Sequence, residues 1–136
     1  MKLHNHTRIL GIVTLAWALF WLIGLPEYYQ QHSFLFMLLF DTLLLIPFSL
    51  LIYWILKHTP KKYRMRFSLW LAFYISIPLF LYDYLYCALY LGHGWSFLSR
   101  FWYLTVYYVI PWIINPSISY WLNRYESQNH ATGFSR

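Results

Sequence analysis

Long apolar stretches alternate with short polar connections along the whole chain. The apolar stretches cover four segments: Ile9–Leu25, Phe34–Leu56, Phe67–Leu91 and Ser99–Leu122. A helix needs about 20 apolar residues to cross the hydrocarbon core of a bilayer, with a range of roughly 17–25. All four segments fall within this range. The pattern therefore predicts an all-α membrane protein, with four transmembrane helices in a single domain of residues 1–122.

The charged residues are few and unevenly placed. Only 10% of the residues are charged, against about 25% in an average soluble domain, so a soluble globular protein is not expected. Lysines and arginines crowd the connection between the second and third spans, and in an up-and-down arrangement every Lys and Arg except Arg100 falls on one side. Cytoplasmic loops carry an excess of Lys and Arg. We therefore expect an up-down bundle with both termini in the cytoplasm.

The same reasoning gives expectations for the chain ends and for the location of the protein. No small-x-small cleavage site follows the first span, so we expect a retained helix rather than a signal peptide. The polar residues 123–136 are expected to form a cytoplasmic tail without fixed structure. A multi-pass protein of this kind belongs in the inner membrane of a bacterium or the endoplasmic reticulum of a eukaryote. Five of its ten Lys and Arg residues fall in one short connection, the pattern of a cytoplasmic loop, so nucleic acid is not an expected partner.

Two aspartates lie inside the apolar spans, where an ionised carboxylate is costly. Asp41 and Asp83 both fall roughly 10–12 Å below the outer membrane boundary, counted at about 1.5 Å per residue. An ionised acid within a span costs at least ~2.5–3.5 kcal/mol on insertion scales, so each should face the bundle interior or stay protonated. Two interpretations remain open. The acids form a polar functional site in the outer leaflet, or each bonds a tyrosine or backbone group and fixes helix packing.

Polar and aromatic side chains accompany the acids on the third and fourth spans. With α-helical spacing, Tyr86, Cys87 and Tyr90 share the helical face of Asp83. The fourth span carries a stripe at alternating steps of four and three residues, which is again one face: Phe101, Thr105, Tyr108, Trp112, Asn115 and Ser119. Asparagine in hydrocarbon needs a partner, typically across a helix interface.

Three tryptophans, Trp17, Trp21 and Trp112, lie deeper than the aromatic belt at the membrane surface. Aromatic walls with a few convergent polar groups are typical of a pocket for a large apolar ligand. We expect ligand contacts from six residues: Trp21, Tyr86, Tyr90, Thr105, Tyr108 and Asn115. All histidines lie in connections or tails, and the single cysteine cannot form a CxxC pair. We therefore expect no metal and no other cofactor.

Short motifs in three spans point to a known family. The fourth span contains FWYxxVY at 101–107 and WIIxP at 112–116; the third contains DYLY at 83–86; the second places Pro-Phe at 47–48 after Asp41. These stretches resemble the emopamil-binding protein family. That family comprises the sterol Δ8–Δ7 isomerases and relatives of the sigma-2 receptor type, which share the four-helix EXPERA domain. The match covers residues 34–122.

The resemblance implies a sterol-sized cavity and the chemistry of a double-bond isomerase. In such an enzyme an acid protonates a ring double bond, a tryptophan face stabilises the carbocation, and a base removes a neighbouring proton. Asp41 and Asp83 would be the acids, and Trp112 the cation-stabilising residue. The chain departs from the isomerases at Tyr90, where they carry a glutamate, and at Val109, where they carry an asparagine.

Three functions are compatible with these features. The first is an isomerase acting on a polycyclic or isoprenoid lipid, the second a lipid-binding or trafficking protein without catalysis, and the third a structural subunit of a membrane complex. The departures at Tyr90 and Val109 favour binding over catalysis, and two acids at matched depth disfavour a purely structural subunit. The expected partners are the bilayer and an apolar, sterol-like lipid. The sequence leaves open whether the chain forms a homodimer.

Overall fold

The structure, a computed structural model, describes residues 3–23 and 32–133. This part is almost entirely helical and contains no strand. In chain order its elements are α1 (Leu3–Ile23), α2 (Phe34–Lys57), α3 (Lys61–Asp83), a π-helix (Tyr84–Tyr90), a single 3-10 turn (Gly94–Ser96), α4 (Phe97–Arg100) and α5 (Trp102–Gly133).

By length and composition, the described residues contain two or three helices that can span a membrane. One is α2, and another is the continuous rod Lys61–Tyr90, formed by α3 and the π-helix. The segments Gly94–Arg100 and Trp102–Asn129 meet at a bend of 79° and form a third span when they are taken together. The first predicted span corresponds to α1, whose apolar part is the shorter segment His6–Leu19. Residues 24 and 25 of that predicted span lie outside the described part.

Contacts between the long helices define their directions. Later residues of α1 contact later residues of α3, so these two helices run parallel. The contacting pairs are His6–Tyr74, Thr14–Tyr82 and Trp17–Asp83. α2 and α5 also run parallel: Phe34–Trp102, Asp41–Tyr107 and Tyr53–Trp121. α3 and α5 run antiparallel, because Arg64 bonds Asn123 near one end and Asp83 bonds Tyr108 near the other. α1 and α3 therefore run opposite to α2 and α5.

The four long helices meet at the end of the molecule that carries the basic connection. Buried leucine and isoleucine side chains form a cluster there: Ile52 and Leu56 from α2, Leu71 from α3 and Leu122 from α5. Ile9 of α1 packs against this cluster. Burial of such a side chain contributes about 1.5–3 kcal/mol in water-soluble proteins, whereas between membrane helices close packing is the main contribution.

A second cluster at the opposite end holds the other helices together without α1. Its buried residues come from α2, the π-helix, and the region of α4 and α5: Met37, Cys87, Ala88, Phe97, Phe101, Tyr103 and Leu104. No described residue of α1 belongs to this cluster, and α1 packs chiefly on α3. At this end α1 lies outside the buried cluster and contacts α3 and the π-helix through Trp17 and Trp21.

The contact between α3 and α5 is the most extensive in the described part of the chain. Small buried side chains at four-residue intervals, Ser68, Ala72 and Ser76, lie on α3. Small residues at such spacing let two membrane helices approach closely. The two helices also share polar contacts at both ends, which fixes their register.

The expectation of an unstructured tail is wrong for its described part, because α5 continues as a helix to Gly133. Arg64, which is 2% exposed, donates to Asn123 Oδ1 at 2.8 Å and pairs with Glu126 at 2.9 Å. It also donates to the Leu56 carbonyl at 2.9 Å and so caps the end of α2. The polar composition of the tail does not reveal these contacts, because Arg64 lies far from the tail in the chain.

Candidate ligand-binding groove

An open groove of about 640 Å³ lies between α1 and the end of α3 with the π-helix. Two residues of α1 and four from the end of α3 and the π-helix line it: Trp17, Trp21, Tyr82, Leu85, Tyr86 and Tyr90. Ligand pockets in proteins occupy about 300–1,000 Å³ and are lined mainly by hydrophobic and aromatic side chains. The groove is open to its surroundings, and its lining is mainly aromatic.

The aromatic rings of the groove contact one another in a continuous series. Trp17 and Trp21 are one helical turn apart and stack with their centroids 6.3 Å apart. Trp21 meets Tyr86 edge to face at 5.9 Å, and Tyr86 stacks on Tyr90 at 5.6 Å. Ring pairs at about 4.5–7 Å contribute ~0.5–1.5 kcal/mol beyond their burial. These contacts hold the walls in place and leave flat apolar surfaces toward the groove.

The π-helix sets the direction of the side chains on one wall. The Leu91 N–H donates to the Tyr86 carbonyl at 2.9 Å, a bond that spans five residues instead of four. This wider winding buries Cys87 fully and leaves Tyr90 79% exposed. The expectation that Tyr90 shares the face of Asp83 assumed α-helical spacing, which does not hold in this segment. Single π-helical turns occur frequently at functional sites.

Asp83 lies directly behind Trp17 and is held through both carboxylate oxygens. Oδ1 accepts a hydrogen bond from the Trp17 indole N–H at 3.1 Å, and Oδ2 accepts one from the Tyr108 hydroxyl at 2.8 Å. The residue is only 4% exposed. One carboxylate thus connects α1, α3 and α5, and it fixes the orientation of an indole that lines the groove. This is the tyrosine-bonded packing role, one of the two alternatives left open by the sequence.

Asp41 lies in a different part of the structure. It is 3% exposed between α2 and α5, where the Tyr107 hydroxyl donates to its backbone carbonyl at 3.4 Å. The Tyr103 phenol lies within electrostatic range of the Asp41 carboxyl. Asp41 meets Tyr107, whereas Asp83 meets the next residue, Tyr108, so the two acids approach α5 from different sides. Asp41 does not line the groove.

The other predicted site residues fall into two groups. The structure brings five predicted residues to the groove or directly behind it: Trp21, Asp83, Tyr86, Tyr90 and Tyr108. Trp112 lies elsewhere, 42% exposed on α5, and Asn115 on the same helix is fully buried. Thr105 donates to the Leu98 carbonyl at 2.8 Å and thereby ties α5 to α4. The three residues expected to be catalytic therefore occupy three separate surroundings.

The expected ligand contacts left out three residues of the groove, although Trp17 is among the deep tryptophans noted in the sequence. Trp17 stands one turn before Trp21, and this spacing was a signal that both indoles share one helical face. Tyr82 bonds Thr14 of α1 across a distance of 2.7 Å. No local pattern marks Tyr82 or Leu85 as groove residues, because their position depends on where α1 packs and on the π-helical winding.

Comparisons with known proteins add no relative to this picture. No protein family, no curated protein and no solved structure matches the chain. The resemblance to the emopamil-binding proteins therefore stays a prediction. Within residues 3–23 and 32–133, no group of three His, Cys, Asp or Glu side chains is placed to hold a metal ion.

Proposed function

We propose that this protein binds a polycyclic or isoprenoid lipid in the groove between α1 and the π-helix. The observation that carries the proposal is an aromatic groove of about 640 Å³ at the end of the helices opposite the basic connection. In the proposed four-span bundle, with both termini in the cytoplasm, this end faces the outer leaflet. A lipid can then reach the groove sideways from the bilayer.

The shape of the groove walls favours a rigid ring system over a flexible acyl chain. Stacked and edge-to-face contacts hold the indoles and phenols in fixed positions. A flexible chain loses conformational freedom when it is fixed against such walls, whereas a rigid ring system loses little. Tyrosine hydroxyls at the groove offer hydrogen bonds to a single polar group, such as the hydroxyl of a sterol.

Binding without catalysis is the function that the positions of the acids support best. A double-bond isomerase needs an acid and a base within reach of the reacting carbons. Both oxygens of Asp83 accept hydrogen bonds from the protein, and neither Asp41 nor Trp112 lines the groove. Membership of an EXPERA-like family is part of this proposal, and it rests on the short motifs in the spans.

The proposal is tested by retention of tritiated cholesterol on the purified protein in detergent micelles. Trp21→Ala removes one wall together with its ring contacts to Trp17 and Tyr86, and loss of about 0.5–1.5 kcal/mol of contact should weaken retention roughly two- to tenfold. Trp54→Ala is the matched control, since Trp54 is 60% exposed on α2 outside the groove. Tritiated palmitate serves as the acyclic probe and should be retained weakly. Equal losses in the two variants, or no retention by the wild type, would contradict the proposal.

A further inference from the structure

Three polar side chains, one on α3 and two on α5, are buried without a hydrogen-bond partner. Ser76 is 2% exposed, and Asn115 and Ser119 are fully buried. The Oγ atoms of both serines and both polar atoms of the Asn115 side chain have no partner. Buried polar groups in proteins are almost always hydrogen-bonded, to protein or to ordered water. These side chains therefore point to a bound polar molecule.

The register of the two helices places Ser76 opposite Asn115. α3 and α5 run antiparallel, and the Tyr108 hydroxyl bonds Asp83 directly. Ser76 precedes Asp83 by two helical turns, and Asn115 follows Tyr108 by two turns. Equal steps from a shared bond lead to the same level, so the two side chains lie at the same level of the two helices.

The bonds at the basic end place Ser119 in the same interface. Arg64 of α3 donates to Asn123 of α5. Ser68 lies one helical turn after Arg64, and Ser119 lies one turn before Asn123. On α5 a polar residue then recurs every four residues, which is one helical face: Asn115, Ser119, Asn123 and Ser127. Ser127 is exposed and Asn123 is partly buried. The stripe therefore runs from the surface at the basic end to the fully buried Asn115.

We propose that Ser76, Asn115 and Ser119 bind water between α3 and α5, and that this site connects along the α5 stripe to the basic end. Hydroxyl and amide groups both donate and accept hydrogen bonds, which suits water better than an ion of one sign. Successive positions on the stripe are about 6 Å apart along the helix, a distance that one bridging water spans with two hydrogen bonds. The site is independent of the lipid groove.

Cysteine reactivity tests the site, because a thiol reacts as the thiolate, which needs a polar, solvated surrounding. Ser119→Cys is made in the full chain, and membranes are treated with the silver ion. The protein is then denatured, the remaining thiols are labelled with maleimide, and peptides are quantified by mass spectrometry. Leu122→Cys is the matched control, since Leu122 is 4% exposed on the same helix in the apolar cluster. The native Cys87, fully buried in the other cluster, is an internal control in every sample.

The water site predicts that Ser119→Cys reacts roughly tenfold faster than Leu122→Cys and Cys87. Equal rates at the three positions would overturn it. Ser76→Cys provides a second reporter, and its reaction should slow when Ser119→Leu is added, because Ser119 lies on the route. An unchanged rate in that double variant would refute the connection to the basic end. Size-exclusion profiles identify correctly folded variants, on which all rates are measured.

Discussion

Replacement of Asp83 separates a role in positioning Trp17 from a role in chemistry on the ligand. In Asp83→Leu, the Trp17 indole N–H and the Tyr108 hydroxyl lose the acceptor that they share. Each buried polar group left without a partner costs about 1–3 kcal/mol, so this variant should lose roughly 2–6 kcal/mol of unfolding free energy. Native proteins have only about 5–15 kcal/mol in total. The wall of the groove at Trp17 should loosen as well.

Asp83→Asn should be much milder, because an amide can keep both contacts. Its oxygen accepts from the Trp17 indole, which can only donate, and its N–H donates to the Tyr108 hydroxyl, which can turn to accept. The only loss is the extra strength that the negative charge gives to these two hydrogen bonds, at a cost of about 1 kcal/mol. Since the indole keeps its place, cholesterol retention should stay within about twofold of wild type.

Both variants are measured by titrating the micellar protein with SDS while tryptophan fluorescence is followed, and retention is measured on the same samples. A matched comparison repeats the two substitutions in a Tyr108→Phe background, where one donor is absent. The stability gap between Asp83→Leu and Asp83→Asn should then shrink. Equal stability of the two variants in the wild-type background would refute the positioning role. A folded Asp83→Asn protein without retention would show instead that the ionisable carboxyl acts on the ligand.

The buried Arg64 should matter far more for stability than the exposed Arg66. Arg64→Met should cost about 2–4 kcal/mol, because several charged hydrogen bonds are lost, and Arg66→Met less than about 0.5 kcal/mol; similar losses in SDS titration would disprove the anchoring of the α5 extension. Trp112→Leu should leave cholesterol retention unchanged, since Trp112 does not line the groove; a clear fall would move the ligand to the surface of α5. A reporter fused to the C-terminus should give a cytoplasmic signal, and an external signal would reverse the proposed orientation.

Several helices could be predicted from the sequence because crossing a membrane constrains both length and composition. The predicted spans 34–56 and 67–91 correspond to α2 and to the rod Lys61–Tyr90. The fourth predicted span lies within the bent pair that ends in α5, although the bend itself was not foreseen. The helical extension of α5 could not be predicted from polar composition, because Arg64 stabilises it across the fold.

The residues of the candidate groove could be predicted only where the local sequence pattern was enough to identify them. The sequence shows that Trp21 lies deep in its span and that Tyr86 is close to Asp83 in the chain. Both Trp21 and Tyr86 line the groove. Matched depth also led to Asp41 as an expected site residue, and the family resemblance led to Trp112. Depth says nothing about which side of a neighbouring helix a residue faces, and the π-helical winding changes the faces after Asp83.

The position of the lipid is the central claim, and photolabelling measures it directly. A photoreactive diazirine sterol is added to membranes that contain the protein, the sample is irradiated, and the labelled residues are mapped by mass spectrometry. We predict label concentrated around Trp21 of α1 and Tyr86 of the π-helix, and its loss when excess unlabelled cholesterol is present. Label distributed over the exposed residues Leu50 and Trp121, with no decrease on competition, would contradict a lipid site in the groove.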